Sequence, residues 1–366
     1  MIRIFGVSIA VTVAALVVAF VYGGPTALLL TAILGVLEIS LSFDNAVINA
    51  TVLQRMNEFW QRMFLTVGVL LAVFGMRLAF PLVIVWVTAG LDPVEALRLA
   101  LDPPTDGSPT YEDIVVGAHP QIAAFGGMFL LMLFLDFLVA EKEITWISWV
   151  ERPLMRLHGL DRAPVVIAMT VLVVTAVVVA PADEAVTVMI AGTLGTITYL
   201  VVNGLGDFFH VDRPASPELD APESDALEPD APRAAAGPST VAKAAGRAGF
   251  FAFLYLEVLD ASFSFDGVIG AFAITADPIL IALGLGLIGA MFVRSLTVYL
   301  VRRGTLAEYV YLEHGAHWAI GALALILLYS IGTAVPEVVT GLVGVVLIVA
   351  AFIGSVVRRR AENPVH

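Results

Sequence analysis

The 366-residue chain is 59% hydrophobic and 14% charged, whereas an average soluble domain has about 25% charged residues. Apolar runs repeatedly reach the ~20 residues needed to cross a bilayer, which argues against a soluble fold and predicts an all-α, polytopic membrane protein. The absence of cysteine excludes disulfides and thiolate metal sites, and the net charge of −13 comes largely from one short acidic segment, so it gives no support for nucleic-acid binding.

About ten membrane-spanning helices are predicted from the apolar runs of the sequence. The runs cover residues 4–22, 27–52, 63–87, 122–140, 164–180, 185–202, 249–274, 279–301, 316–332 and 338–357. The first run could also be a signal peptide. Gly23-Gly24-Pro25 and a second apolar run follow it in place of a cleavage site, which favours a helix.

The charges of the connecting loops alternate along the chain, and cytoplasmic loops collect Lys and Arg. One set of loops carries Arg55, Arg62, Lys142, Arg152, Arg156, Arg162, Lys243, Arg247, Arg302, Arg303 and Arg358 to Arg360, whereas the intervening loops are acidic and have Arg98 as their only basic residue. The alternation predicts a multi-pass protein of the cell (inner) membrane with both termini in the cytoplasm.

The composition divides the chain into three parts. Residues 207–247 are rich in Ala, Pro, Asp and Glu, which predicts a disordered acidic cytoplasmic linker, because so little apolar surface cannot offset the entropy of ordering. The linker joins an N-terminal membrane half, 1–206, to a C-terminal membrane half, 248–366. The acidic outer loop at 91–120 is predicted to be a partly ordered surface loop.

Two similar acidic motifs lie inside apolar runs, one in each half. The first has Glu38 followed by Ser-Phe-Asp-Asn at 42–45, and the second has Asp260 followed by Ser-Phe-Asp at 264–266. In both motifs an acid precedes the shared Asp by six residues. The two motif helices are an odd number of spans apart, which predicts an inverted repeat of three-helix units, an architecture in which transporters bind substrate at the repeat interface.

Charged side chains at bilayer depth are costly and normally belong to a binding site or an ion path. The candidate site residues are Glu38, Asp44, Asn45, Glu257, Asp260 and Asp266, and Arg77 and Arg294 on the following helices are candidate supporting charges. Snorkelling to the headgroups is the alternative interpretation for each arginine. Glu257 and Asp260 are three residues apart and share one helix face.

Helix geometry constrains how the acids could share one ligand. On a straight helix Glu38 and Asp44 would point ~120° apart and lie ~9 Å apart along the axis. Their convergence therefore predicts unwound backbone, and Asn45 and Gly267, which follow the two motif Asp residues, are of types that tolerate it.

Five acids against two arginines leave an excess of negative charge, which suits a divalent cation. Ligation by oxygen alone favours magnesium, calcium or manganese. Asn49, Ser42, Ser264 and Thr275 could add neutral oxygens. Two alternatives stay open at this point: the acids could relay protons, or they could only join helices through hydrogen bonds.

Three weaker signals have structural interpretations. Gly284, Gly286 and Gly289 spell G-x-G-x-x-G inside an apolar run, which predicts close helix packing rather than nucleotide binding. His314 and His317 are predicted to lie at a helix entrance with satisfied hydrogen bonds. Asp136, near the end of its run, fits either an ion path or an interfacial pair. The sequence contains no nucleophile, phosphate-loop or cofactor motif. We therefore expect that the protein is not an enzyme and that it binds no prosthetic group.

The paired motifs resemble those of the TerC family of membrane proteins, and the chain looks most like the branch designated DUF475. The residues that carry the resemblance are Glu38 and 42–45, then Asp260, Ser264 and 266–267, together with the Tyr-Leu-Glu-His-Gly-Ala-His-Trp segment at 311–318. The chain departs from the pattern in Glu257, in Gly267 where serine is usual, in additional helices and in the long linker.

The resemblance implies an inverted-repeat cation transporter, with manganese export and, by an older label, tellurite resistance among its functions. We therefore expect the chain to export a divalent cation, manganese in preference to calcium, by alternating access. The metal ion and the lipid bilayer are then its partners. A non-transporting membrane scaffold or a metal and tellurite stress-resistance component is the alternative.

Overall fold

The computed structural model describes residues 2–362 except 42, 72–74, 76–78, 80–81, 84–85, 87–90, 103, 105–106, 157–161, 209–245, 273, 276 and 304–308. Most of the predicted linker at 207–247 therefore lies outside the described residues. The described part of the chain is predominantly α-helical and contains no β-strand.

Fourteen α-helices are numbered here in chain order along the described residues. They are α1 (Ile2–Leu41), α2 (Phe43–Arg55), α3 (Glu58–Met63), α4 (Pro93–Leu101), α5 (Tyr111–Gly117), α6 (His119–Val139), α7 (Ser148–Met155), α8 (Ala163–Val174), α9 (Ala185–Phe208), α10 (Gly246–Phe272), α11 (Pro278–Ile281), α12 (Ala290–Arg303), α13 (Leu312–Ser330) and α14 (Glu337–Glu362). Wider π-helical turns at Phe64–Gly68, Thr175–Val179 and Ala282–Gly289 continue α3, α8 and α11.

Six helical segments in the described part of the chain are long and apolar enough to cross a membrane. They are Ile4–Ile39, His119–Val139, Ala185–Gly204, Pro278–Val301, Leu312–Ser330 and Val339–Arg359, and Ala163–Val179 is a shorter apolar helix. The predicted span at 249–274 corresponds to α10, which is long enough but carries the acids of the second motif. The predicted span at 63–87 is only partly described.

Helix α1 contains two antiparallel segments that meet at Gly23 and Gly24. Gly24 has φ 70° and ψ −156°, a conformation that strongly favours glycine because it has no Cβ. Before this point Ser8 donates a hydrogen bond to the carbonyl of Met291, 2.7 Å away. Ala19 and Ala27 both pack on Leu280, and Gly35 then lies against Ile288. The chain thus runs along the 278–303 helices in one direction and returns in the other, as the separate runs at 4–22 and 27–52 predict.

The apolar core is built around α6, which packs between α9 and α13 and is buried along most of its length. Phe129 of α6 contacts the ring of Tyr199 with 5.5 Å between centroids, and Phe134 contacts Trp318 at 5.2 Å. Gly195 of α9 allows the helix backbone to approach the carbonyl of Phe125. Small residues at such contacts bring helices close enough for extensive van der Waals packing, which stabilises helix pairs in lipid.

The acidic loop at 91–120, predicted to be partly ordered, contains α4 and α5. Asp92 and Thr110 cap these helices, each in a capping box with the acid three residues later. Tyr111 of α5 packs on the ring of Phe272 near the end of α10, with 6.1 Å between centroids. The loop therefore covers one end of the helix that carries the second motif.

Candidate functional site

The two motifs meet inside the helical bundle. The side chain of Asn45, on α2, donates a hydrogen bond from Nδ2 to Oδ1 of Asp260, on α10, over 2.6 Å. Both side chains are buried. A buried contact between residues 215 positions apart joins the halves of the chain at the predicted site.

Five candidate polar residues of the two motif regions are buried. They are Glu38, Asn45, Asn49, Glu257 and Asp260, with between 2% and 6% of their surface exposed. Asp44 and Asp266 lie on α2 and α10, but their side chains are outside the described part of the structure, as is Arg77. The predicted neutral ligands Ser42 and Ser264 are outside it too, whereas Thr275 follows the end of α10 and bonds the main chain of Asp277.

The predicted break in each motif helix, at Asn45 and Gly267, was wrong. Asn45 lies within α2 and Gly267 within α10, which continues to Phe272. In the first motif Glu38 lies on α1 and Asn45 on α2, and Ser42, which joins Leu41 to Phe43, lies outside the described residues. Contacts between helices, rather than unwinding at these two residues, bring the motifs together.

Glu38 lies where α1 contacts both α10 and the π-helical turn at Ala282–Gly289. Its side chain occupies the space beside Gly289, where a methyl group would overlap it. A methyl group on Gly267 would lie 3.2 Å from Oε2 of Glu38. Gly267 thus leaves room for this carboxylate next to the second motif.

The glycines of the G-x-G-x-x-G sequence serve helix packing, as predicted. Gly284 lies against Leu34 and the carbonyl of Thr31 on α1, and Gly289 lies against Glu38. These positions have no room for a nucleotide between the helices. The glycines instead allow the first acid of the site to be buried against another helix.

Glu257 packs against the backbone at Gly68, as Glu38 packs against the backbone at Gly289. Its Oε1 atom would be 2.5 Å from a methyl group on Gly68, in the π-helical turn after α3. Within the described structure neither Oε1 of Glu257 nor Oδ1 of Asn49 has a hydrogen-bond partner. Buried oxygens without donors carry a desolvation penalty, which a bound cation would offset.

A small, partly open pocket lies between α2, α10, α12 and the Phe64–Gly68 turn. Its polar lining is Asn49, Asp260, Arg294 and Thr297. Arg294 donates from Nε to the carbonyl of Leu65 over 2.7 Å, which ties α12 to the π-helical turn. This contact places the predicted supporting charge in the same pocket as an acid of the second motif.

Two groups at this pocket, the side chain of Thr297 and the main-chain carbonyl of Leu65, were not predicted from the sequence. Thr297 donates to the carbonyl of Val293 and follows Arg294 by one helical turn, a spacing that could have identified it. The carbonyl of Leu65 belongs to the backbone of an apolar segment. No residue type marks such a carbonyl, so sequence reasoning had no signal for it.

The described side chains do not form a complete metal centre. Across the described residues no group of three or more His, Asp or Glu side chains is arranged to hold a metal ion. The oxygen donors present are carboxylates and side-chain amides. Such a donor set suits a hard cation rather than a soft one.

A second polar cluster lies between the end of α6, α7 and the start of α13. Glu151 is fully buried and accepts hydrogen bonds from the main-chain N–H groups of Trp146 and Ile147 and from Nε1 of Trp318. His314 bonds the carbonyl of Ile144, and Nζ of Lys142 lies 4.0 Å from Glu151. The sequence reading did not identify Glu151.

His317 and Asp136, the other two polar side chains considered in the sequence, are both hydrogen-bonded. His317 bonds the carbonyl of Glu313 within α13, and Tyr199 donates to Asp136 over 2.7 Å. The bond of His317 agrees with its predicted satisfied role, whereas Nδ1 of His314 is buried without a hydrogen-bond partner among the described residues, and the bond from Tyr199 agrees with pairing of Asp136.

The fold and site define a helical membrane protein with a buried cluster of acids and amides between two motif helices. The chain belongs to the family described as Protein of unknown function (DUF475), whose model matches residues 43–362. No curated protein and no solved structure matches the chain.

Proposed function

We propose that this protein is a membrane transporter that binds a divalent metal cation between α2 and α10. The observation that carries the proposal is the buried Asn45–Asp260 hydrogen bond, which joins the two motifs beside Glu257 and a polar pocket. Acids buried in a membrane protein are expensive and face cavities or partners, so a cation ligand explains why they lie together.

Manganese is the cation we propose. Magnesium is reluctant to lose its waters, and calcium prefers six to eight oxygens in a flexible cage. Manganese accepts octahedral oxygen coordination, which carboxylates, Asn45 and main-chain carbonyls can supply. The two motifs resemble those of the TerC family, and on this basis we assign the chain to that family. The same resemblance is our reason to propose export rather than uptake.

Alternating access by an inverted repeat is the proposed mechanism. In such transporters one repeat rocks against the other around a central site. The position of Arg294 beside the second motif is consistent with matching arginine-bearing helices in the two halves. The scheme requires ten spans, with both termini and the linker in the cytoplasm of a cell whose inner membrane holds the protein.

Cysteine labelling tests this topology directly, since the chain has no native cysteine. We expect Ser224→Cys and Arg359→Cys to react with a membrane-impermeant thiol reagent only after cell lysis. A cysteine replacing Ser108 in the outer loop is the matched control and should react on intact cells. Labelling at residue 224 on intact cells contradicts the ten-span scheme.

Flux separates transport from the scaffold or stress-resistance alternative. The full-length protein reconstituted into vesicles should move Mn²⁺, and Asp260→Asn should abolish this flux. Asp277→Asn is the control, because Asp277 caps α11 and asparagine caps helices equally well. Metal content of the purified protein gives an independent reading. Mn²⁺ flux equal to that of protein-free vesicles contradicts the proposal.

Direction is tested in cells. Deletion of the gene in a strain with no redundant exporter should raise intracellular manganese after a manganese challenge, and wild-type protein but not Asp44→Asn should reverse the rise. Unchanged accumulation contradicts export. Calcium-selective flux in vesicles would show that the transported ion is calcium rather than manganese, and the proposed site would be unchanged.

A further inference from the structure

The short helix α7 has one buried and one exposed face. Glu151 and Leu154 are on the inner face, where Glu151 is bonded by Trp318 and Leu154 packs against the apolar core. Trp149, Arg152 and Arg156 are exposed on the opposite face, and Trp149 is 82% exposed. Their spacing of three and four residues forms one stripe along the helix.

The position of α7 in the chain places this stripe near the bilayer surface. The helix lies between the end of α6, an apolar helix that ends at Val139, and the start of α8, an apolar helix that begins at Ala163. The hydrogen bond from Nε1 of Trp318 to Glu151 fixes α7 to the first turns of α13, a third candidate span. An element held at the ends of spanning helices lies at the depth of the lipid headgroups.

The exposed stripe has the chemistry of a headgroup contact. An exposed tryptophan is unfavourable in water but suits the membrane interface, where its ring is amphipathic. Neither Arg152 nor Arg156 forms an ion pair with any side chain that the structure describes. Guanidinium groups form paired hydrogen bonds with phosphate oxygens, and each basic residue near an anionic leaflet strengthens binding.

We propose that the Trp149–Arg152–Arg156 face of α7 is a binding site for anionic phospholipid headgroups. Charge complementarity commits the site to phospholipids with net negative charge, such as phosphatidylglycerol, over zwitterionic ones. The proposal depends on the membrane location of the chain and is independent of what the buried site transports.

Native mass spectrometry of the full-length protein tests the site. In detergent containing phosphatidylglycerol and phosphatidylcholine, the wild type should retain phosphatidylglycerol selectively. The variant Arg152→Ala with Arg156→Ala should weaken this binding by about fivefold for each arginine removed. Arg62→Ala with Arg98→Ala is the matched control, since it removes the same charge from exposed positions that have acids on the same helix.

Fluorescence quenching gives a second reading that does not depend on the arginine variants. Brominated phosphatidylglycerol in nanodiscs should quench a part of the emission that Trp149→Phe removes, and brominated phosphatidylcholine should quench it less. Equal phosphatidylglycerol retention by the α7 and control variants overturns the proposal. So does emission from Trp149 that only a water-soluble quencher reduces, which would indicate a face open to water or to a protein partner.

Discussion

Helices in two regions of the molecule associate through different kinds of residues. One region is the contact of α2 with α10, and the other is the packing of α6 between α9 and α13. Around α6 the contacts are made by residues such as Phe129, Leu130 and Met132, which are essentially fully buried. Around α2 and α10 the buried residues include Asn45, Asn49, Glu257 and Asp260. Both regions lie in the same bundle, but only the second contains buried acids from the two motifs.

The difference shows that the helices around α6 pack mainly through apolar side chains, with the hydrogen bond from Tyr199 to Asp136 as a polar contact among them. Close contacts at glycines and interlocking aromatic rings predominate around α6, as expected where van der Waals packing drives association in lipid. The contact between α2 and α10 differs because it buries Glu257 and Asp260, two acids of one helix. Their burial is easier to explain by a ligand, and each prediction below separates ligand binding in one region from packing in the other.

The largest effect is expected for loss of a carboxylate. Asp260→Asn, and likewise Asp44→Asn and Asp266→Asn, should weaken Mn²⁺ binding ~100-fold or more, because a buried divalent cation loses a full opposing charge. Insertion and thermal stability should stay close to wild type, since asparagine is nearly isosteric. Equilibrium dialysis measures the affinity for Mn²⁺, and thermal unfolding in detergent measures the stability. Misfolding of all three variants would instead support a structural role for the acids.

A pair of glycine substitutions sharpens the comparison. Gly195→Ala should destabilise the protein by ~1–3 kcal/mol, because the added methyl group overlaps the backbone carbonyl of Phe125, which cannot move freely. Gly289→Ala instead displaces the side chain of Glu38 and should lower Mn²⁺ affinity. Thermal unfolding and metal titration of both variants provide the test. Equal loss of affinity in Gly195→Ala would show that the regions are not separate.

A pH effect is expected from the second polar cluster. Burial lowers the pKa of Lys142 from 10.5 to about 8, although Glu151 and Glu313 act in the opposite direction. Between pH 8 and 10.5 the unfolded chain holds more protons at this residue than the folded chain, so this lysine makes stability rise with pH across that window. The penalty of its buried charge is fully present below pH 8.

Comparison of wild type with Lys142→Met isolates this contribution. The difference in unfolding free energy between the two proteins should change between pH 8 and 10.5 and be flat below pH 8. Chemical unfolding at a series of pH values measures it. A constant difference across the window would mean that Lys142 titrates at its ordinary value.

The smallest effect is expected in the apolar region. Tyr199→Phe removes the hydrogen bond to Asp136 but keeps the ring contact with Phe129. Hydrogen bonds between membrane helices contribute ~0.6 kcal/mol on average, so only a slight loss of thermal stability is expected. Mn²⁺ affinity should not change. A loss of Mn²⁺ binding in this variant would extend the functional site to α6.

Local patterns carried much of the fold and the identity of the site residues. The apolar runs predicted most of the long helices, and Gly23-Gly24 marked the point where the chain reverses. The repeated motif identified Asn45 and Asp260 before any contact was known. The predicted unwinding at Asn45 and Gly267 was wrong, because the sequence shows which residue types tolerate unwinding but not whether the packing requires it.

The sequence by itself determined the class of protein, since hydropathy and the position of acids within apolar runs can be read from residue types alone. Only the tertiary structure decided which groups meet: Asn45 with Asp260, Glu38 with Gly289, and Arg294 with the carbonyl of Leu65. These contacts join residues more than two hundred positions apart. Their distances depend on how the helices cross and rotate, which is set by the packing of all side chains together and has no local signal in the chain.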